Sequence, residues 1–189
     1  MSSKAALLSC ACLTVAFGAS LEIRDVYGKP QQPLRVSGMA EVLFFVMTDC
    51  PVSNTYAPEI QHICADYGTK GVACSLVYED VQVDAAGARH HMDEYRYKDM
   101  PAIIDAGRRI AEAVKATTTP QAVVLDKAGK VRYSGRIDNF YAALGKPRRQ
   151  ATEHDLRDAL DAVLAGRAVA NPETKALGCY IPPKDLLKK

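Results

Sequence analysis

The chain contains no tryptophan and no cysteines spaced Cys-x-x-Cys. The first absence removes one favoured binding-surface residue and decides nothing alone. The second excludes the usual spacing of paired zinc ligands, and the thiols are not clustered as a zinc site requires. Neither sign of charge predominates: 24 Lys and Arg stand against 22 Asp and Glu, a net charge of +2. That balance offers no case for nucleic acid or for electrostatic attachment to a membrane. The basic run Lys146-Pro147-Arg148-Arg149 reads as a solvated loop, too short to argue otherwise. There is no internal repeat and no low-complexity linker. What remains, 189 residues with 48% hydrophobic and 24% charged content, is the composition of one globular domain with a real core.

The first twenty residues read as a targeting segment. Lys4 supplies a short positive start, Ala5 to Phe17 is nearly all small or apolar, and Ala16-Phe17-Gly18 offers a cleavage site. The pattern fits a secretory leader over residues 1–19 better than a membrane span, which needs about 20 apolar residues. Leu7-Leu8-Ser9-Cys10 also resembles a lipoprotein cleavage site, which would tie the chain to a membrane through Cys10. An ordinary N-terminal helix is the plain alternative. An exported protein is expected, periplasmic or extracellular, in a compartment that permits disulfides.

Beyond the leader, strands and helices alternate. Leu21 to Tyr27 is a weak strand, and Ala40 to Met47 has the pattern of a strand buried on both faces. Pro51 to Tyr67 reads as one helix with Ile60, Ile63, Cys64 and Tyr67 on its inner stripe, and Gly71 to Tyr78 as a second buried strand. Val83 to Tyr97 reads as a polar, exposed helix, Pro101 to Asp105 as a short apolar segment and Ile110 to Lys115 as a short helix. Gln121 to Asp126 and Val131 to Tyr133 form a hairpin around the turn Lys127-Ala128-Gly129-Lys130. Thr152 to Ala165 is an amphipathic helix that Thr152 is placed to cap. This order predicts an α/β layer fold with parallel strands at its centre. Residues 20–170 make the domain, and 171–189, with Pro172, Pro182 and Pro183, make an extended C-terminal arm lying on it.

With the leader removed, Cys50, Cys64, Cys74 and Cys179 remain, and four cysteines allow three pairings. Cys64, on a helix stripe, and Cys74, inside a strand, read as core residues, with a structural bridge between them as the alternative. Cys50 stands where the apolar run Phe44-Phe45-Val46-Met47 ends and a helix begins. Free N–H groups and the dipole of a helix start favour thiolate, the nucleophilic form, over thiol. Asp49 beside it would oppose that by like-charge repulsion. Burial as a small hydrophobe is the plain alternative, but a distant second feature supports chemistry.

That feature is Thr117-Thr118-Thr119-Pro120-Gln121, directly before Asp126-Lys127-Ala128-Gly129-Lys130-Val131 and Gly135-Arg136-Ile137-Asp138. Together with Thr48-Asp49-Cys50-Pro51 these segments resemble the thioredoxin-like redoxin family, related to alkyl hydroperoxide reductases, thiol-specific antioxidants and exported thiol-disulfide oxidoreductases. The resemblance covers roughly Val42 to Ala165. It implies a thioredoxin-like fold with a central mixed sheet flanked by helices. It makes Cys50 the nucleophile, Pro120 the cis-proline facing it, and Thr119 the residue whose backbone pairs with an extended substrate. No cofactor is implied. The chain departs from the family in four places, one being Leu43, which stands where a peroxiredoxin has a proline four residues before its threonine. Ser53 stands where a thioredoxin has its second cysteine. Thr48 lies two residues before Cys50, where a peroxiredoxin has its threonine three before, and Met47 fills that place. The remote peroxiredoxin arginine has no match, since Arg136 reads as a solvated surface residue. Donors that stabilise charge as an O–O bond breaks are therefore lacking, which weakens the case for peroxide reduction.

The reading is an oxidoreductase acting on a disulfide or peroxide. Cys50 would form a mixed disulfide or sulfenic acid, resolved by Cys179 or an external thiol. Cys179, in Leu177-Gly178-Cys179-Tyr180-Ile181-Pro182, is the internal candidate, either as a redox partner of Cys50 or in a fixed bridge to it. The expected partners are a thiol or disulfide protein or a peroxide, and an external thiol reductant. Two alternatives stay open: a copper carrier binding Cu(I) through Cys50 and Cys179, and a binding module without turnover. His90-His91 points two ways from one helix and reads as solvated rather than chelating. Asn139-Phe140-Tyr141 reads as a surface contact.

Overall fold

The computed structural model describes residues 23–184; the leader, Cys10 and the first residues of the weak N-terminal strand lie outside them. The elements in chain order are β1 (Ile23–Arg24), β2 (Pro30–Gln31), β3 (Ala40–Val46), α1 (Pro51–Thr55), α2 (Ala57–Gly68), β4 (Val72–Tyr78), α3 (Ala85–Glu94), β5 (Ala102–Ile104), α4 (Arg109–Val114), β6 (Thr118–Thr119), β7 (Gln121–Asp126), β8 (Val131–Gly135), β9 (Tyr141–Ala143), β10 (Lys146–Pro147), α5 (Asp155–Leu164) and β11 (Cys179–Tyr180). A five-stranded sheet of order β5-β4-β3-β7-β8 forms the centre. β3, β4 and β5 run parallel, while β7 is antiparallel to both β3 and β8. This is the α/β layer fold expected from the order of elements, with the mixed sheet that the family resemblance implies.

β3 is buried along its whole length because both faces of the sheet are covered. Val42, Phe44 and Val46 pack with Ile60 and Ile63 of α2, Met92 of α3 and Leu156 and Leu160 of α5. Leu43 and Phe45, on alternate positions, pack with Ile110 and Val114 of α4 and with Ile181 of the C-terminal arm. The arm therefore completes one of the two cores. It is held first at Thr174, whose hydroxyl accepts from the Arg136 N–H and meets the Tyr133 hydroxyl at 2.6 Å. It then runs to Ile181, whose side chain is 5% exposed.

Several local expectations need correction. The helix expected over Pro51 to Tyr67 is divided at Tyr56. Pro58 carries no N–H, and its ring crowds the carbonyl four residues back, at Asn54, so the first helix cannot run on through it. α3 is shorter than expected and only its outer face is exposed: Ala88, His91 and Met92 are buried, so His91 is a core residue. Thr152 does not cap α5. His154 stands at that position, while Thr152 exchanges hydrogen bonds with the Asn139 side chain. Asn139 is itself buried, so it is not a surface contact, while Phe140, half-buried, packs edge-on against Tyr56. Arg136 is ion-paired with Asp155 and Glu153 rather than free in solvent.

Cys64 and Cys74 are not independent core residues; they form a disulfide. α2 packs over β4, which brings their Cα atoms to 6.0 Å, within bridging reach. The cross-link closes a short loop of sequence separation 10. Replacing both cysteines by alanine should cost about 2–3 kcal/mol of stability, read from the denaturant midpoint. Thiol titration should show the remaining cysteine pair unaffected. An unchanged midpoint would mean that this bond constrains nothing.

Candidate active site

Cys50 lies at the end of the loop leaving β3, fully buried, and is the first flanking residue of α1. α1 is a single short turn and a half beginning with Pro51, which has no N–H to offer. The electrostatic support of a long helix start is thus smaller here than the sequence suggests. Cys50 is bonded to Cys179, with Cα atoms 6.1 Å apart. Of the pairings open to the four cysteines, the fold makes Cys50–Cys179 and Cys64–Cys74.

Cys179 reaches this position by adding a strand. β11 pairs antiparallel with β6, in the register Cys179 to Thr119 and Tyr180 to Thr118. The Ile181 N–H donates to the Thr117 carbonyl at 2.9 Å, and the Thr119 hydroxyl donates to the Cys179 carbonyl at 3.4 Å. The Thr119–Pro120 peptide bond is cis, and the Thr119 carbonyl oxygen lies 3.3 Å from Cys50 Sγ. Gln121 braces this segment. Its side-chain oxygen accepts from the N–H groups of Thr117 and Thr118, and its amide donates to Ser134. Gly178 is required by contact, because a Cβ there would collide with the Thr119 carbonyl. Cys50, Thr119, Pro120 and Cys179 thus meet at one point.

Thr48 is close in sequence but turned away. Its hydroxyl donates to Asp80 at 2.6 Å, and its N–H donates to the same carboxylate. The Thr48 carbonyl accepts from the Asn54 amide at 3.0 Å, and the other end of that amide faces His91 Nε2 at 2.9 Å. Tyr78 closes the chain on His91 Nδ1 at 2.9 Å. Since the Asn54 nitrogen is committed to Thr48, its oxygen accepts from His91 Nε2–H, and in the neutral ring that burial favours Nδ1 takes a hydrogen bond from Tyr78. This half-buried relay holds the loop that carries Cys50.

A second set of residues holds the arm. Arg108 is 2% exposed, with a left-handed backbone (φ +56°) that turns its side chain inward. Its guanidinium pairs with buried Glu79, and its Nε donates to the Pro182 carbonyl at 3.1 Å. Asp105 caps α4 by accepting from the N–H groups of Arg109, Ile110 and Ala111. Burial raises Glu79 above the carboxylate range despite its cationic neighbour. Sequence reading misses Glu79 and Arg108 and places His91 on a solvated face. The signals were slight: a glutamate closing an apolar strand, and an arginine after Ala106-Gly107.

The chain matches the AhpC/TSA family over residues 19–134. It belongs to that family. Cys179 lies beyond the matched span. A search of curated proteins finds no match. Among solved structures, an uncharacterized conserved protein from Geobacillus kaustophilus is similar at 25% identity and TM-score 0.76, covering 86% of this chain and 88% of that one. A hypothetical protein from Sinorhizobium meliloti 1021 is similar at 24% identity and TM-score 0.74, covering 86% and 90%. A secreted Mycobacterium tuberculosis disulfide oxidoreductase homologous to E. coli DsbE is similar at 17% identity and TM-score 0.53, covering 78% and 96%. The fold is therefore thioredoxin-like, a redoxin scaffold carrying two cysteine pairs.

Burial pushes His91 below its ordinary value of 6.5, against the pull of Asp80 and Glu94. Below that value the unfolded chain takes up a proton that the folded protein resists. Stability is then full above the unfolded value and falls as pH drops through it. In His91→Gln this part of the acid slope should vanish, as read from denaturant midpoints across pH 5 to 8, where an unperturbed histidine titrates. An unaltered slope would show that His91 is not the group that titrates.

Proposed function

We propose that this chain is an exported thiol-disulfide oxidoreductase whose working pair is Cys50 and Cys179. The observation that carries this reading is that Cys179 is presented to Cys50 on a strand paired with the residues just before Pro120. That is the geometry of one sulfur handed to another. In the reduced protein the Cys50 thiolate attacks a client disulfide. A Cys50–client bond forms and one client sulfur leaves as thiolate. Cys179 then attacks Cys50, the second client thiol departs, and the Cys50–Cys179 bond is restored. An external thiol reductant supplies the two electrons for the next cycle.

Peroxide as the substrate is less well supported. O–O cleavage needs donors aimed at the developing oxyanion, and here Thr48 is committed to Asp80, Arg108 to Glu79 and Arg136 to Asp155. Copper carriage finds no specific support, since the two sulfurs that would hold it are bonded to each other. Export is supported by the leader pattern, by two disulfides that an oxidising compartment would maintain, and by the secreted character of the mycobacterial neighbour.

Intact mass after offering a small disulfide to the reduced protein tests the roles. Wild type should finish as the internal disulfide, Cys179→Ser should accumulate an adduct on Cys50, and Cys50→Ser should do neither, with exchange slowed at least about a hundredfold. Retained exchange in Cys50→Ser, or a Cys50–Cys179 bond that a mild dithiol cannot open, would remove the catalytic assignment.

A further inference from the structure

We propose that a cleft floored by Glu41, at the end of the sheet away from Cys50, binds a small organic amine through its ammonium group. The site is separate from the cysteine pair and does not rest on the redox reading above.

Glu41 is the one charged residue of β3, whose other positions from Ala40 to Val46 are apolar. The alternation of a strand puts it on the same face as Leu43 and Phe45. Those two are sealed in the second core. Glu41 precedes them, about 17 Å along the strand from the end that leads to Cys50. It is 7% exposed. Its direct neighbours on the flanking strands are Ala73 and Leu125, so neither strand supplies a cation. Ser75 of β4 donates its hydroxyl to Glu41 Oε1 at 2.8 Å. The other oxygen, Oε2, has no partner among the described residues and, unlike the sealed Oε1 of Glu79, keeps contact with the cleft. A carboxylate held this deep with one neutral hydrogen bond lacks the counter-charge that offsets its desolvation.

The cleft measures about 510–610 Å³ at most along this face, its full volume being about 610 Å³. Pro30, Pro33 and Pro101 give it apolar walls. The segment joining β2 to β3 alternates above it: Leu34 and Val36 pack toward the second core, while Arg35 and Ser37 line the cleft. Arg35 and Asp99, of opposite sign, are both exposed, and Arg35 donates to Gln32 at 3.3 Å. The rim charges therefore offset each other, and the carboxyl on the floor decides which charge the interior accepts.

An ammonium supplies what Glu41 lacks. It donates a charge-assisted hydrogen bond to Oε2 and neutralises the carboxylate, while a slender apolar body lies against the prolines. An anionic ligand would meet a like charge, and a neutral one would leave the carboxylate uncompensated. Burial pushes Glu41 up to about 7, only partly opposed by the Ser75 hydrogen bond. Below that value a proton occupies the carboxyl, and an arriving ammonium must displace it to solvent. Affinity should thus rise with pH through about 7 and level off above it. Among the described residues no histidine lines the cleft to add a titration of its own.

The test follows amide NMR shifts of the oxidised, full-length protein titrated with benzylamine. The shifts should saturate at millimolar ligand and centre on Glu41 and Ser75. Affinity should be about twentyfold weaker near pH 5.5 than near pH 7.5, the ratio of ionised fractions for a group titrating at about 7. Benzyl alcohol, alike in shape but uncharged, should bind at least about tenfold more weakly. Glu41→Gln, which keeps an acceptor for Ser75, should lose a similar factor together with the pH dependence. Equal affinity of the wild type for benzylamine and benzyl alcohol would overturn the proposal whatever the variant does. So would shifts centred elsewhere, the absence of any saturable shift, or wild-type affinity in Glu41→Gln.

Discussion

Four residues, Thr118, Thr119, Cys179 and Tyr180, pair as two short strands, and the organisation of the site follows from that contact. The pairing buries Cys50, brings its partner sulfur to it across 129 positions of chain, and delivers Ile181 to the second core. A two-residue ladder is weak in isolation. It persists because its neighbours are committed: Gln121 ties down the backbone of β6, Gly178 permits the close approach, and Arg108 receives the chain as it leaves.

The polar groups around Cys50 are spent on one another. Thr48, Asp80, Asn54, His91 and Tyr78 form one chain of hydrogen bonds that ends in the core. Glu79 and Arg108 form another unit. Neither directs a donor at the sulfur, whose near polar neighbour is the Thr119 carbonyl. Such surroundings suit sulfur-to-sulfur exchange, where attacking and leaving atoms share the charge, better than a reaction that creates a localised oxyanion.

The architecture was legible where burial leaves a periodic trace. Ala40 to Val46 is apolar apart from Glu41 because both faces of the sheet are covered, and Gln121 to Asp126 could be read for the same reason. Cys50 was legible from its place between strand and helix, and Pro120 from its place before the hairpin. The features that eluded the sequence are all meetings of distant residues. Cys64 and Cys74 each fit a core stripe, and nothing local says that α2 crosses β4 with those two in register. His91 reads as surface because its helix is polar, although its partners Asn54 and Tyr78 belong to other elements. β6 and β11 are too short to carry any period. Arg108 carries no sequence signal of burial because only the fold supplies Glu79.

The seat of Ile181 also bears on the energetics of the thiol pair. A cysteine on a loose tether meets its partner at the concentration that chain length allows, whereas one on a docked strand is held near its partner even when no bond joins them. Ile181 and the Arg108–Pro182 contact involve no sulfur, so they do not depend on the Cys50–Cys179 bond and would favour Cys179 near Cys50 after its reduction. Each tenfold gain in this effective concentration favours closure and lowers the reduction potential of the pair by about 30 mV. Core packing well beyond the last helix would thereby tune the reduction potential of the pair, through a side chain that touches no sulfur.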